Sequence, residues 1–199
     1  LACEDLRLGD QLTPDRQQVI SNGSDLQEEL QAGYLSWWQA LHGPTPAITL
    51  GVIGDAYGLP WDDFGAYRLG QEPRAAFQNQ SSEPVPYRAI AETPWYGCLS
   101  AASSANQVLL ALSEEVSIDQ GGPQDQSVEA AARALRGLAW CYLGLLFDQA
   151  PLLTEEDDLS MPPGFSPYPE VIDKAVAELQ AAISLSETAG IDFFHTYFP

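Results

Sequence analysis

One amphipathic segment constrains the fold of this chain more than any other. Residues 128–151 read VEAAARALRGLAWCYLGLLFDQAP and end at a proline, which cannot continue a helix. Apolar or small residues recur at the spacing of three and four that lines one helical face, at Val128, Ala131, Leu135, Leu138, Tyr142 and Leu145. The segment therefore predicts a long helix that packs against others.

Four further segments have helical spacing and recognisable ends. The first is predicted to start at Ser24, in a capping box with Gln27, and to end at Gly43. Threonine-proline pairs predict the starts of helices at 45–57 and 93–113, and the last segment covers 169–187. Strand alternation is absent, so the predicted fold is all-α. It consists of antiparallel helical hairpins, tetratricopeptide-like in their packing, with long irregular loops.

The spacing also predicts which side chains face the core. We expect Trp37 and Trp38 both to be buried. The helix at 93–113 carries one apolar face, and the last helix carries a second, which is predicted to point inward at Ile172, Ala175, Leu179 and Ile183. The uncharged run in 93–113 is interrupted by serines, Asn106 and Gln107, so we interpret it as a buried helix and not as a membrane span.

Length and charge limit the domain organisation and the partners. A chain of 199 residues can bury one sizeable core. Residues 1–23 are polar and are interpreted as an N-terminal tether, and residues 24–199 as a single helical domain. With a formal net charge of −20, the chain repels phosphate backbones, which argues against nucleic-acid binding.

No motif for catalysis, cofactor binding or metal binding is apparent. The two histidines, His42 and His195, lie in no recognisable nucleophile and base arrangement, so we expect a protein that is not an enzyme and needs no cofactor. The acidic run 155–158 lacks the alternating spacing of a calcium loop and is interpreted as solvated surface charge.

The segment 58–92 loses helical periodicity and is too long to be a simple connector. It combines aromatic rings, which stack on the apolar faces of sugars, with polar groups that bond sugar hydroxyls. The candidate ligand-binding residues are Trp61, Phe64, Tyr67 and Arg68. The alternative is that these rings only pack the loop onto the helices.

Three cysteines lie far apart in the sequence. Cys3 follows Leu1 and Ala2, and this resembles the end of a lipoprotein signal, in which the cysteine becomes lipidated. Cys98 and Cys141 lie at nearly the same level if their helices form a hairpin around residues 121–123, so a disulfide is geometrically feasible. Two buried thiols are the alternative.

Several blocks together resemble the N-terminal half of SusD/RagB proteins, the nutrient-binding outer-membrane lipoproteins of Bacteroidota. These blocks are the Cys3 start, the Trp37-Trp38 helix, GDAYGLPWDDFGAYRLGQEPRAAFQN at 54–79, ETPWYGCLSAASSANQVL at 92–109, the segment 128–151 and EVIDKAVAELQAAISL at 170–185. They follow the family order and cover most of the chain.

The resemblance implies a function and partners. It implies a non-catalytic lipoprotein held on the outer leaflet of the outer membrane, at the cell surface, by a lipid on Cys3. It implies capture of an oligosaccharide or peptide and delivery to a SusC-like, TonB-dependent transporter. The ligand contacts in the family come partly from the loop before the helix predicted at 93–113, which is why residues Trp61 to Arg68 are candidates.

A second function remains open. The same scaffold could serve as a structural or assembly subunit in a surface assembly. The C-terminal segment IDFFHTYFP places several aromatic residues together without an evident partner. We therefore expect this segment to contact another chain, through self-association, or further sequence.

Overall fold

The computed structural model describes residues 20, 22–56, 58–59, 61, 66–73, 82–157, 163–190 and 197. Within these residues the chain is all-α, as predicted. The elements are α1 (Gly23–His42), α2 (Pro44–Ile53), a 3-10 turn (Ala66–Leu69), α3 (Val85–Ser113), α4 (Pro123–Leu146), β1 (Gln149–Ala150), β2 (Ser166–Pro167) and α5 (Tyr168–Ala189).

Helix α1 begins earlier than predicted because its cap is a different residue. The side chain of Asn22 accepts hydrogen bonds from the backbone N–H groups of Ser24 and Asp25, and the Asp25 side chain bonds back to the Asn22 backbone. The capping box therefore pairs Asn22 with Asp25, and the predicted pair of Ser24 and Gln27 is wrong. The predicted end at Gly43 is confirmed.

Helix α3 differs most from the prediction. It starts at Val85, next to Pro84 and Pro86, and Pro94 lies inside it. Pro86, and not the predicted Pro94, is thus the proline in the first turn of this helix. Pro94 cannot donate a hydrogen bond to the carbonyl of Ile90, yet it is buried, and its packing offsets the lost bond.

The long helices pack as antiparallel neighbours. Gly33 and Ala40 of α1 face Ser104 and Gly97 of α3, in reversed order along the two helices. The α3–α4 pair is antiparallel as well, since Trp95 meets Phe147 while Asn106 meets Arg136. Along α4 and α5, Gly137 meets Leu179 and Gly144 meets Ile172.

Short strands guide the chain from α4 into α5. Strand β1 pairs antiparallel with β2, with Gln149 opposite Pro167 and Ala150 opposite Ser166. The Tyr168 N–H then donates to the carbonyl of Asp148 at 2.9 Å. This two-residue ladder has no alternation that the sequence could reveal, and it closes the loop that returns α5 onto α4.

Most predicted core residues are buried, but three exposed side chains are corrections. Trp37 lies in the core, whereas Trp38 is 39% exposed, because consecutive residues point about 100° apart around a helix. Ile183 and Leu145 are exposed as well. Among the described elements, α5 packs mainly on α4 and the short strands, and the side of its apolar stripe at Ile183 faces solvent.

Ala150 of β1 and two residues outside the helices and strands, Ile20 and Tyr197, also belong to the core. Ile20, within the segment interpreted as a tether, is buried in the core cluster. Tyr197 is buried there too, and its hydroxyl bonds the side chains of Gln27 and Ser127. At Tyr197 the expected contact with another chain is therefore replaced by packing within this chain. The neighbouring residues 191–196 and 198–199 lie outside the described part.

Candidate functional site

The predicted ligand-binding loop presents two exposed rings. Trp61 is 67% exposed, and Tyr67 is exposed on the 3-10 turn. The turn is anchored by buried Ala66, and Gly70 directly after it lies against Val52 of α2. Phe64 lies outside the described residues, so its predicted role stays a prediction.

Arg68 is held in place from two sides. Its Nη1 donates to Glu83 Oε2 at 3.1 Å, and its guanidinium carbon lies 4.8 Å from the ring centroid of Tyr87. Tyr87 belongs to the first turn of α3 and is buried. The ion pair is exposed and contributes little to stability, but it fixes the orientation of a hydrogen-bond donor beside Tyr67.

A second polar centre was missed in the sequence and lies in the bundle interior. Arg136 of α4 is only 3% exposed. Its Nη1 donates to Asn106 Oδ1 on α3 at 3.0 Å and to Glu155 in the loop after α4, and its Nη2 reaches Glu178 Oε2 on α5 at 3.0 Å. One side chain thus ties together α3, α4, α5 and the connecting loop.

The surroundings of Arg136 balance its charge. Its guanidinium carbon lies 5.3 Å from the ring centroid of Trp140, and Arg133 adds a second cation that pairs with Glu129 and Glu178. Burial of a charge is costly unless it is paired and hydrogen-bonded. The partners meet that condition at Nη1 and Nη2, whereas the buried Nε of Arg136 makes no hydrogen bond with the described residues. One feature of the sequence indicates this buried charge: Arg136 lies between Leu135 and Gly137, in a run of small and apolar residues.

Glu155 corrects the interpretation of the acidic run as solvated charge. Its side chain is 20% exposed and pairs with Arg136. Asp157, also in the run, is exposed and accepts hydrogen bonds from the backbone N–H and the hydroxyl of Thr154, which lower its pKa. Within the described residues no group of three or more His, Cys, Asp or Glu is arranged to hold a metal ion.

A cleft of about 160 Å³ opens beside this centre, between α3, α4 and the segment 151–155. Its walls are mostly apolar, with Leu99, Leu110, Trp140 and Leu153 among them. Ser103, Gln107 and Glu155 contribute polar groups to the same lining. Neither this cleft nor a wider one between the end of α3 and the start of α4 is lined by Trp61, Tyr67 or Arg68.

Aromatic rings also cluster where α1 ends and α4 approaches its end. The His42 ring lies 4.5 Å from that of Trp38 and 6.0 Å from that of Tyr142, while Trp37 contacts all three. A separate ring pair forms where Trp95 of α3 stacks with exposed Phe165. His42 is therefore surrounded by rings, and His195 lies outside the described residues.

The cysteines of the hairpin are free thiols. Cys98 is buried and Cys141 is half-buried, and they form no disulfide, so the alternative of two thiols is the one observed. Burial raises the pKa of Cys98 to about 12 and also raises the pKa of Cys141. Neither thiol is activated as a nucleophile by its surroundings. Cys3 lies outside the described residues.

Comparisons with models of known protein families, with curated proteins and with solved structures found no match to this chain. Among the described helices, none is long and apolar enough to cross a membrane.

Proposed function

We propose that this chain is a substrate-binding domain of the SusD/RagB type that captures an oligosaccharide or peptide at the cell surface. In this proposal a lipid on Cys3 holds the protein on the outer membrane, and the bound ligand passes to a TonB-dependent transporter. The helical hairpins are tetratricopeptide-like and act as a rigid, non-catalytic support. The observation that carries the proposal is the exposure of two rings of this loop, Trp61 and Tyr67, together with the guanidinium of Arg68, which is held by Glu83.

The exposure of Trp61 supports a binding role. A tryptophan ring left in water forgoes a large favourable burial term, so a ring that is 67% exposed on a loop is available to a ligand. Tyr67 adds a second exposed ring with a hydroxyl, and the half-exposed Arg68 offers donors directed by Glu83 and Tyr87. Flat apolar faces with adjacent donors suit a sugar ring or a peptide backbone.

The test is binding of a panel of neutral oligosaccharides and short peptides to the full chain, measured by calorimetry. Replacing Trp61 with alanine is expected to weaken the best ligand at least about tenfold, as for an aromatic residue at the centre of a contact. Trp38→Ala is the matched control, since Trp38 is also a partly exposed tryptophan but lies on α1. Equal loss in both variants, or unchanged affinity in Trp61→Ala, would refute the proposal.

A structural or assembly subunit is the second candidate function. The observation that favours it is the solvent-exposed apolar surface on the helices, which includes Trp38, Leu145 and Ile183. Light scattering decides between the two: regular assemblies that dissociate on Leu145→Ser or Ile183→Ser support the subunit. A monomer that retains ligand binding supports capture.

A further inference from the structure

We propose that the cleft between α3, α4 and the segment 151–155 is a binding site for one small, uncharged ring bearing a hydroxyl group. This site is separate from the loop that contains Trp61, and it does not depend on the proposed capture function. Besides Pro163, the cleft is lined by three parts of the chain, which the Arg136 centre holds together.

The size of the cleft limits the ligand. Its volume of about 160 Å³ exceeds the space of a single water several times and matches a cavity that admits a benzene ring. The rings and side chains of Trp140, Leu99, Leu110 and Leu153 provide apolar walls. Concave sites with apolar walls and a few directed polar groups are the usual form of small-molecule sites.

Two polar groups in the lining keep unused hydrogen-bonding capacity. Gln107 Nε2 donates to Ser103 Oγ at 3.4 Å, which leaves the Ser103 proton and the Gln107 carbonyl oxygen without a partner among the described residues. Asn106, by contrast, makes hydrogen bonds with both ends of its amide. Its Oδ1 accepts from Arg136, and its Nδ2 donates to the carbonyl of Leu153 at 2.7 Å. A ligand hydroxyl can therefore donate to Gln107 and accept from Ser103.

The charges around the cleft exclude an anion. Glu155 lines it, and Arg136 behind it is already shared between Glu155 and Glu178. Arg133 and its second partner Glu129 complete this network of two cations and three carboxylates. Its net charge is therefore negative, which repels a carboxylate or phosphate. A cation would compete with Arg136 for Glu155, so an uncharged ring remains the best fit.

The walls are set in place before a ligand arrives. Asn106 fixes the Leu153 carbonyl, and Arg136 holds Glu155 at the other end of the same segment. Sites whose residues are already positioned bind without the cost of ordering a loop. The segment 151–155 is therefore a fixed wall of the cleft.

The probes are phenol, glucose, benzoate and benzylamine, titrated into the full chain labelled with fluorotryptophan. The chain has five tryptophans, so fluorine NMR resolves the Trp140 signal, which Trp140→Phe assigns. Saturable shifts of that signal with phenol or glucose are expected, and their relative affinities distinguish an aromatic alcohol from a sugar ring. The Trp61 signal should stay in place, which separates this site from the loop.

Ser103→Leu fills the cleft and is expected to abolish the shift. Ser100→Leu is its matched control, because Ser100 lies one turn away on the exposed side of α3 and should retain binding. Gln107→Ala adds no bulk and should weaken phenol about fivefold through the lost acceptor. It remains informative if Ser103→Leu fails to fold.

Several results would overturn the proposal. Absence of a saturable Trp140 shift with both neutral probes would show that the cleft takes no such ring. Tighter binding of benzoate or benzylamine than of phenol would contradict the inferred charge preference. Equal binding by wild type and a folded Ser103→Leu variant would place the ligand elsewhere.

Discussion

Arg136 of α4 and Asn106 of α3 are joined by a 3.0 Å hydrogen bond across the interior of the bundle. The same arginine reaches Glu155 in the following loop and Glu178 on α5. A charge that four parts of the chain share cannot be removed without leaving polar groups unpaired. This relationship makes Arg136 the first residue to test for stability.

Replacing Arg136 with methionine is expected to destabilise the fold by about 3–5 kcal/mol, because Glu155 and Glu178 then lose a buried partner. Methionine retains much of the apolar stem, so the loss of stability comes from the missing charge and its hydrogen bonds. Urea unfolding followed by circular dichroism measures it. Arg133→Met is the control, since its side chain is 27% exposed, and should cost no more than about 1 kcal/mol. Equal losses in the two variants would contradict a special role for Arg136.

The crossing of α1 and α3 depends on the absence of a side chain at Gly97. A Cβ at this position would overlap the Cβ of Ala40. Gly97→Ala should therefore destabilise the protein by about 1–3 kcal/mol, even though alanine favours helix. Thermal unfolding tests this, and Ala40→Gly in the same chain should recover part of the loss. Ser100→Ala, on the exposed side of the same helix, should change stability by less than about 0.5 kcal/mol.

Alkaline pH should weaken the fold through Cys98. Burial raises its pKa from 9.0 to about 12, so the unfolded chain releases this proton at a lower pH than the folded one. Stability is therefore complete below 9.0 and falls as pH rises through the range up to the folded value. We expect the free energy of unfolding to fall by about 1 kcal/mol over the first pH unit above 9.0.

Cys98→Ala isolates that contribution, because alanine cannot titrate. Its free energy of unfolding should be lower than that of wild type at neutral pH, through the lost packing, but should fall less steeply above 9.0. Cys141→Ala serves for comparison at a half-buried thiol. An unchanged slope in Cys98→Ala would mean that other groups cause the alkaline loss.

Acidic pH should destabilise the fold through Asp125, which holds the turn between α3 and α4. Burial raises the pKa of Asp125, but hydrogen bonds from the Ile118 N–H, the Ser117 hydroxyl and the Gly121 N–H outweigh it, so the pKa lies below 3.8. The stability that this carboxylate contributes is present above pH 3.8 and is lost as the pH falls through the lower pKa that Asp125 has in the folded chain.

Asp125→Asn keeps the shape but removes the charge. It should destabilise the protein at neutral pH and flatten the acid side of the stability profile. Urea unfolding at a series of pH values measures both effects. The exposed Asp157 also has a lowered pKa, so Asp157→Asn is the control, with a smaller loss expected at neutral pH. A profile as steep in Asp125→Asn as in wild type would contradict this assignment.

Local pattern was enough to predict the helical architecture. The all-α class, the end of α1 at Gly43 and the buried faces around Trp37 and Cys98 all follow from the spacing of apolar residues and the stops between them. The exposed position of Trp61 and Tyr67 agrees with their assignment to an irregular loop. These features are local, so neighbouring residues along the chain carry the information.

Other features of the structure depend on tertiary contacts. Pro94 lies within α3 because its packing outweighs one lost hydrogen bond, and no local signal reports that balance. Tyr197 is buried because its ring packs in the core cluster with residues of α1, α3 and α4. Arg136 is buried because Asn106, Glu155 and Glu178 reach it from 30, 19 and 42 residues away in sequence. The spacing of apolar residues predicts the helices and most of their inner faces, whereas burial of a charge depends on partners that are brought together only in the folded chain.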